Sequence, residues 1–175
     1  MLGHPLRIIQ VNLNKSSPAT EATLQAAVEM AVDLLVVQEP WLIPTNEDFT
    51  LTRSINHPSF YQLFPPLVSL STRPRVMIYV SKQLKAEINN IPNPSLLPDP
   101  DFQLVKVKSL SFSFYLCNIY NQTSSSMEGK AIERQLLPYN LPPSSLLLGD
   151  FNIHHPWWDP LSLATPTASA DNFQV

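Results

Sequence analysis

The chain is punctuated by short apolar runs that end abruptly in polar residues, and their lengths and periods define its elements. "LRIIQVNL", residues 6 to 13, mixes alternation with a β-branched pair and predicts a strand ending in polar Asn12 and Asn14. In the "SSPATEATLQAAVEMA" that follows, Ser17 before Pro18 marks a helix start, with proline at the first helical position and Glu21 in the first turn. Leu24, Val28 and Ala31 recur at helical spacing and predict one apolar face. "DLLVVQEP", residues 33 to 40, is short and evenly apolar, the pattern of a strand covered on both faces in an α/β architecture. Strand, helix and strand in this order predict a parallel pair joined by a right-handed crossover.

The middle of the chain changes character. "FYQLF", "RVMIYVSK", "FQLVKVKSL" and "FSFYLCNIY" read as strands separated by Pro, Ser and Asn. "LVKVK" alternates as a strand with one wet face should, and the last two runs, split by "SLS", predict an antiparallel hairpin. "IPNPSLLPDPD", residues 91 to 101, is a loop stiffened by proline. "SSSMEGKAIERQLL", residues 124 to 137, predicts a second helix with either Met127, Ala131 and Leu137 or Ile132 and Leu136 facing inward. "SSLLLGD" is another short buried strand, and after Pro160 "LSLATPTASADNFQV" runs as a loop toward a helix near Ala170. No repeat and no interdomain linker interrupts the pattern, so the expectation is one mixed α/β domain.

Composition narrows the picture. A length of 175 residues and a hydrophobic content of 44% suit a single globular core. With 11 basic and 14 acidic residues the net charge is -3, so any binding to a polyanion must rest on a local patch. Three glycines against 18 prolines make the loops stiff. The one cysteine, Cys117 in "FYLCNIY", has no internal partner and reads as a small buried hydrophobe in an intracellular, reducing compartment. The N-terminal stretch has no signal-peptide pattern, and no segment approaches the roughly 20 apolar residues that cross a bilayer. The expectation is a soluble protein with no membrane partner.

The candidate chemistry lies at strand ends. Asn12, Glu39 and Asp150 each follow a buried apolar run that has no structural need for them. Ligand sites of open α/β sheets gather beyond the carboxyl ends of strands, so parallel neighbours would bring the three together. Residues two apart on extended chain share a face, which would align Asp150 with Asn152 and Asn12 with Asn14. Oxygen donors without sulfur suit a hard cation such as Mg²⁺, which keeps waters for substrate phosphate to replace. Phosphodiester cleavage needs such a cation and groups that orient an attacking water.

"QVNLNKS", "LLVVQEPW", "CNIYNQ" and "LLLGDFNIHHPWW", in this order and spacing, resemble the endonuclease/exonuclease/phosphatase superfamily, the fold of DNase I-like enzymes and abasic-site endonucleases. The doubled histidine followed by tryptophan is most similar to the endonuclease domain of non-LTR retrotransposons, which precedes their reverse transcriptase. The resemblance implies a two-sheet α/β sandwich with helices outside and a Mg²⁺- or Mn²⁺-dependent endonuclease that nicks DNA. It implies a nuclear site of action for an active retroelement enzyme. It places Glu39 as principal metal ligand with Asn12 near the metal, and Tyr120 close to the scissile phosphate. Asp150 would orient the water, and Asn152 would steady the phosphate as charge develops. The family pattern continues into a Ser-Asp-His motif that supplies the general acid/base, and nothing here matches it. Residues 1 to 175 therefore correspond to the N-terminal part of such a domain. Two further readings stand beside the nuclease: a non-catalytic remnant of the domain, and a phosphatase acting on a small phosphoester.

Other groups carry weaker expectations. His154 and His155 could form part of a zinc site, replace the absent general base, or pack in a Pro-Trp corner with Trp157 and Trp158. Lys15, Arg73 and Arg75 are candidates for contact with DNA phosphate, the two arginines standing beside a strand start.

Overall fold

A computed structural model of the chain describes residues 5–43, 53–66, 73–92, 98–122 and 130–152. Strands β1 (Ile8–Asn12) and β2 (Leu34–Gln38) are separated by helix α1 (Ser17–Glu29). Six more strands follow: β3 (Phe60–Leu63), β4 (Val76–Ser81), β5 (Glu87–Asn90), β6 (Phe102–Lys108), β7 (Ser113–Tyr120) and β8 (Ser145–Asp150). One sheet runs β1-β2-β4-β3 and the other β5-β6-β7-β8. The pairs β1/β2 and β7/β8 are parallel and the rest antiparallel, so both sheets are mixed. The parallel β1/β2 pair and the β6/β7 hairpin are as the pattern predicts.

The alternation of the strands sorts the core into three layers. Leu35 and Val37 of β2 meet Leu24 and Ala27 of α1 on the outside of the first sheet. Leu34, Val36, Ile78 and Val80 face Val105, Val107 and Leu116 across the gap between the sheets. Phe102, Leu104, Cys117 and Ile119 pack on Ala131 and Ile132 outside the second sheet. Leu34 to Val37 are each 0% exposed, which explains the apolar run that β2 carries up to Gln38. The two-sheet α/β sandwich is thus the fold that the motifs imply.

Several local expectations shift. The helix cap is Ser16, one residue earlier than expected, whose side chain accepts from Ala19 N at 3.2 Å, with proline in the first turn. The inward face is Thr20, Leu24 and Ala27, while Val28 is exposed. Ala31 lies beyond the helix at φ 51°, where Arg7 closes the end by donating from Nη1 to Met30 O at 2.6 Å. β5, "EINN", has no apolar signature; it is an edge strand defined by its pairing with β6. Of the helix expected over 124–137, residues 124–129 lie outside the described set, and the remainder contains one wide π-type turn, Ile132–Leu136. Its inward residues include Ala131 and Ile132, while Leu137 is half exposed.

Candidate active site

The gap between the sheets changes chemistry along its length. From the apolar end, the next inward positions are Gln38 on β2 and Asn118 on β7, both fully buried. Gln38 Nε2 donates to Asn118 Oδ1 at 2.6 Å, and Asn118 Nδ2 donates to the carbonyls of Val37 and Met77, each at 3.1 Å. Gln10 on β1 donates in turn to Gln38 Oε1. This amide rung stitches the two sheets together and fixes their register, since buried amides must find partners. One step further, ionisable groups join an amide: Asn12 on β1, Glu39 after β2, Tyr120 ending β7 and Asp150 ending β8.

Register explains their meeting. Tyr120 and Asp150 are cross-strand partners in the parallel β7/β8 pair, and Asn12 pairs with Gln38, the residue before Glu39. Asn12 Nδ2 donates to Asp150 Oδ2 at 2.8 Å and to Glu39 Oε2 at 3.3 Å. The three strand ends do converge, but not as parallel neighbours of one sheet. Asp150 comes from the opposite sheet, so the crevice lies between the layers of the sandwich.

Each side chain is held in place. Glu39 sits at φ 46°, a left-handed conformation that costs a glutamate about 1–2 kcal/mol. Its N–H donates to Arg75 O and its carbonyl accepts from Lys15 N, both at 2.8 Å. The Lys15 ammonium stands 3.3 Å from Glu39 Oε1. Asn12 Oδ1 accepts from Asn14 N at 2.8 Å, which turns the NH₂ of Asn12 toward the two carboxylates. The Tyr120 hydroxyl lies beside Glu39. Burial first, then Glu39 and the charge of Asp150, hold this phenol above the usual tyrosine range, against the pull of Arg75.

Asn152 also has a left-handed backbone, φ 46°. Its N–H donates to Asp150 Oδ1 at 3.2 Å and its amide to Asn121 O at 2.8 Å. Asn121, buried, donates from N to Asp150 O at 2.8 Å and from Nδ2 to Phe151 O at 2.7 Å. It clips the turn that presents Asp150 and Asn152, a role that its place in "CNIYNQ" does not advertise. Gly149 permits the approach of β8 to β7, because a Cβ there would lie 2.1 Å from Ile119 O.

Arg75 is paired with Asp101, which is fully buried, through a two-pronged contact whose Nη2–Oδ2 arm is 2.6 Å. Its guanidinium carbon also lies 5.5 Å from the Tyr120 ring centre. Arg73 is exposed. His154, His155, Trp157 and Trp158 lie outside the described residues.

A divalent cation can be tested against this donor set. Glu39 and Asp150 supply two hard carboxylates that share one amide donor, a number that suits Mg²⁺ or Mn²⁺ with waters completing the shell. Among the described residues no group of three or more His, Cys, Asp or Glu is placed to hold a metal, so a self-sufficient zinc cage is not formed there. Asn12 stands as a hydrogen-bond donor to both carboxylates, with its oxygen engaged by Asn14.

No protein-family model matches the chain, and no curated protein matches it by sequence. Among solved structures it is similar to the endonuclease domain of TRAS1, a telomere-specific non-LTR retrotransposon. The likeness has a TM-score of 0.62 at 17% identity and covers 96% of this chain and 67% of that one. The chain has the fold of that endonuclease domain. At this identity the likeness speaks for the fold, and the chemistry has to be read from the crevice between the sheets. No helix among the described residues is long and apolar enough to cross a membrane.

Proposed function

We propose that this domain is a metal-dependent phosphodiesterase that nicks DNA, acting on chromosomal DNA in the nucleus. The observation that carries the reading is the meeting of Asn12 and Asp150, 138 positions apart in sequence and from opposite sheets, with Glu39 on the same amide. Glu39 and Asp150 would hold Mg²⁺ or Mn²⁺, and the cation would supply charge stabilisation to a phosphoryl oxygen. Asn12 orients both carboxylates. Asp150, at the mouth of the crevice, accepts a proton contact from an attacking water. The Tyr120 phenol, beside Glu39, offers its hydroxyl to the phosphate. Asn152, on the turn clipped by Asn121, steadies the phosphate as charge develops. The exposed Arg73 and Lys15 bring positive charge to the DNA backbone.

Purified protein with supercoiled plasmid and Mg²⁺ tests this. The expected result is conversion to the open circle, lost by about a hundredfold or more in Glu39→Gln and in Asp150→Asn. Equal conversion by the parent and both variants overturns the reading. A second reading, a non-catalytic domain, draws on the amide of Asn12 and the ammonium of Lys15, which already satisfy the carboxylates without a cation. It predicts no nicking by the parent.

A further inference from the structure

Arg75 is the residue on which the backbone and side-chain contacts of the crevice cross. Its carbonyl accepts from Glu39 N at 2.8 Å, and its own N–H donates to Pro100 O at 2.7 Å. Its guanidinium grips both oxygens of Asp101, donates from Nη1 to Gln122 Oε1 at 2.8 Å, and lies 5.5 Å from the centre of the Tyr120 ring. Asp101 completes the loop, because its carbonyl accepts from Tyr120 N at 2.9 Å. One arginine and one aspartate thus touch the backbone of both Glu39 and Tyr120 and the ring of the latter.

Arg75 and Arg134 together balance the two carboxylates of Asp99 and Asp101, but balance alone does not set this geometry. Asp101 also accepts from Arg134 Nη2 at 2.9 Å, and Arg134 pairs with Asp99 at 2.9 Å. Buried ion pairs contribute little net stability, because desolvation offsets the attraction; fixing one geometry is a better-attested use. The two-pronged grip also fixes the plane of the guanidinium, which a lysine could not do.

We propose that Arg75, locked by Asp101, is the positioning residue of this site, setting the Tyr120 ring and the Glu39 backbone relative to each other. Its meaning for catalysis rests on the phosphodiesterase reading, while the geometry can be tested without turnover. Arg75 acts through Tyr120 and Glu39 rather than on substrate.

The test labels the whole chain with 3-fluorotyrosine and assigns the Tyr120 resonance by its loss in Tyr120→Phe. In Arg75→Gln that resonance should move toward the position of free fluorotyrosine. In Arg134→Gln, which removes the other cation of the same buried cluster, melting temperature should fall while the resonance stays. Arg75→Lys keeps the charge but not the grip, so its resonance should follow Arg75→Gln; it decides the matter if Arg75→Gln does not fold. On plasmid, Arg75→Lys should lose about tenfold in kcat with KM little changed, as misplacement of reacting groups requires. An unmoved Tyr120 resonance in a folded Arg75 variant, or equal movement in Arg134→Gln, overturns the proposal. A parent that shows the resonance pattern but never nicks DNA overturns the phosphodiesterase reading instead.

Discussion

The two ends of the gap between the sheets are built from the same strands and do opposite things. At one end Leu34, Val36, Ile78, Val80, Val105, Val107 and Leu116 are at most 1% exposed and make no demand beyond close packing. At the other, Asn12, Glu39, Tyr120 and Asp150 are partly open, and every contact among them is a directed hydrogen bond or charge contact. Gln38 and Asn118 mark the change between the two. Cohesion therefore comes from the apolar end and alignment is passed to the polar end through the amide rung. A site can stay open to solvent and still be ordered when it is anchored in this way.

The sharpest way to break the contrast is at the apolar end. Leu116→Ala should cost about 2–5 kcal/mol in urea unfolding, through lost burial and the cavity left behind. Gly149→Ala follows at about 3 kcal/mol, because a new methyl would meet Ile119 O, part of a neighbouring strand's backbone that cannot move aside cheaply. Asn118→Ala should cost about 2 kcal/mol and leave the Gln38 NH₂ without its acceptor, and it should also disturb the polar end, which Leu116→Ala should not. By contrast Glu39→Gln and Asp150→Asn should change stability by no more than about 0.5 kcal/mol, since these groups serve alignment rather than cohesion. If they cost as much as Leu116→Ala, the division between the two ends is wrong.

The smallest effect concerns Cys117. Burial pushes its thiol well above the usual range, so the folded protein holds the proton more tightly than the unfolded chain. That contribution to stability is present below the ordinary thiol pKa, about 8.5, and is lost as pH rises above it. A thiol reagent at neutral pH should accordingly label Cys117 at the rate of unfolding, checked by following labelling against urea. Fast labelling of the folded protein would show a looser outer layer than this.

Much of this was legible in the pattern. β2 and β4 announce themselves because a strand covered on both faces is a nearly continuous apolar run, and β1, β3, β6, β7 and β8 by shorter apolar or alternating runs. β5 does not, since an edge strand of Glu, Ile and two Asn is defined by its partner rather than by its own composition. The face of α1 was misplaced because Thr20, a residue of mixed character, points inward and the helix ends before Ala31. At the site, Asn12, Glu39 and Asp150 stood out as polar groups at the ends of apolar strands, but periodicity could not show that Asp150 approaches from the other sheet. The rung of Gln38 and Asn118 was silent, since a buried amide and an exposed one are written alike. Arg75 read as a phosphate contact because Asp101, the partner that engages it, lies 26 residues away in a proline-rich loop.

The central claim is that Glu39 and Asp150 serve one cation site. Mn²⁺ binding followed by electron paramagnetic resonance on the whole chain tests it most directly. One site is expected in the parent, weakened at least tenfold in both Glu39→Gln and Asp150→Asn and retained in Glu87→Gln, a distant acidic position. Equal binding by all four proteins would contradict the claim.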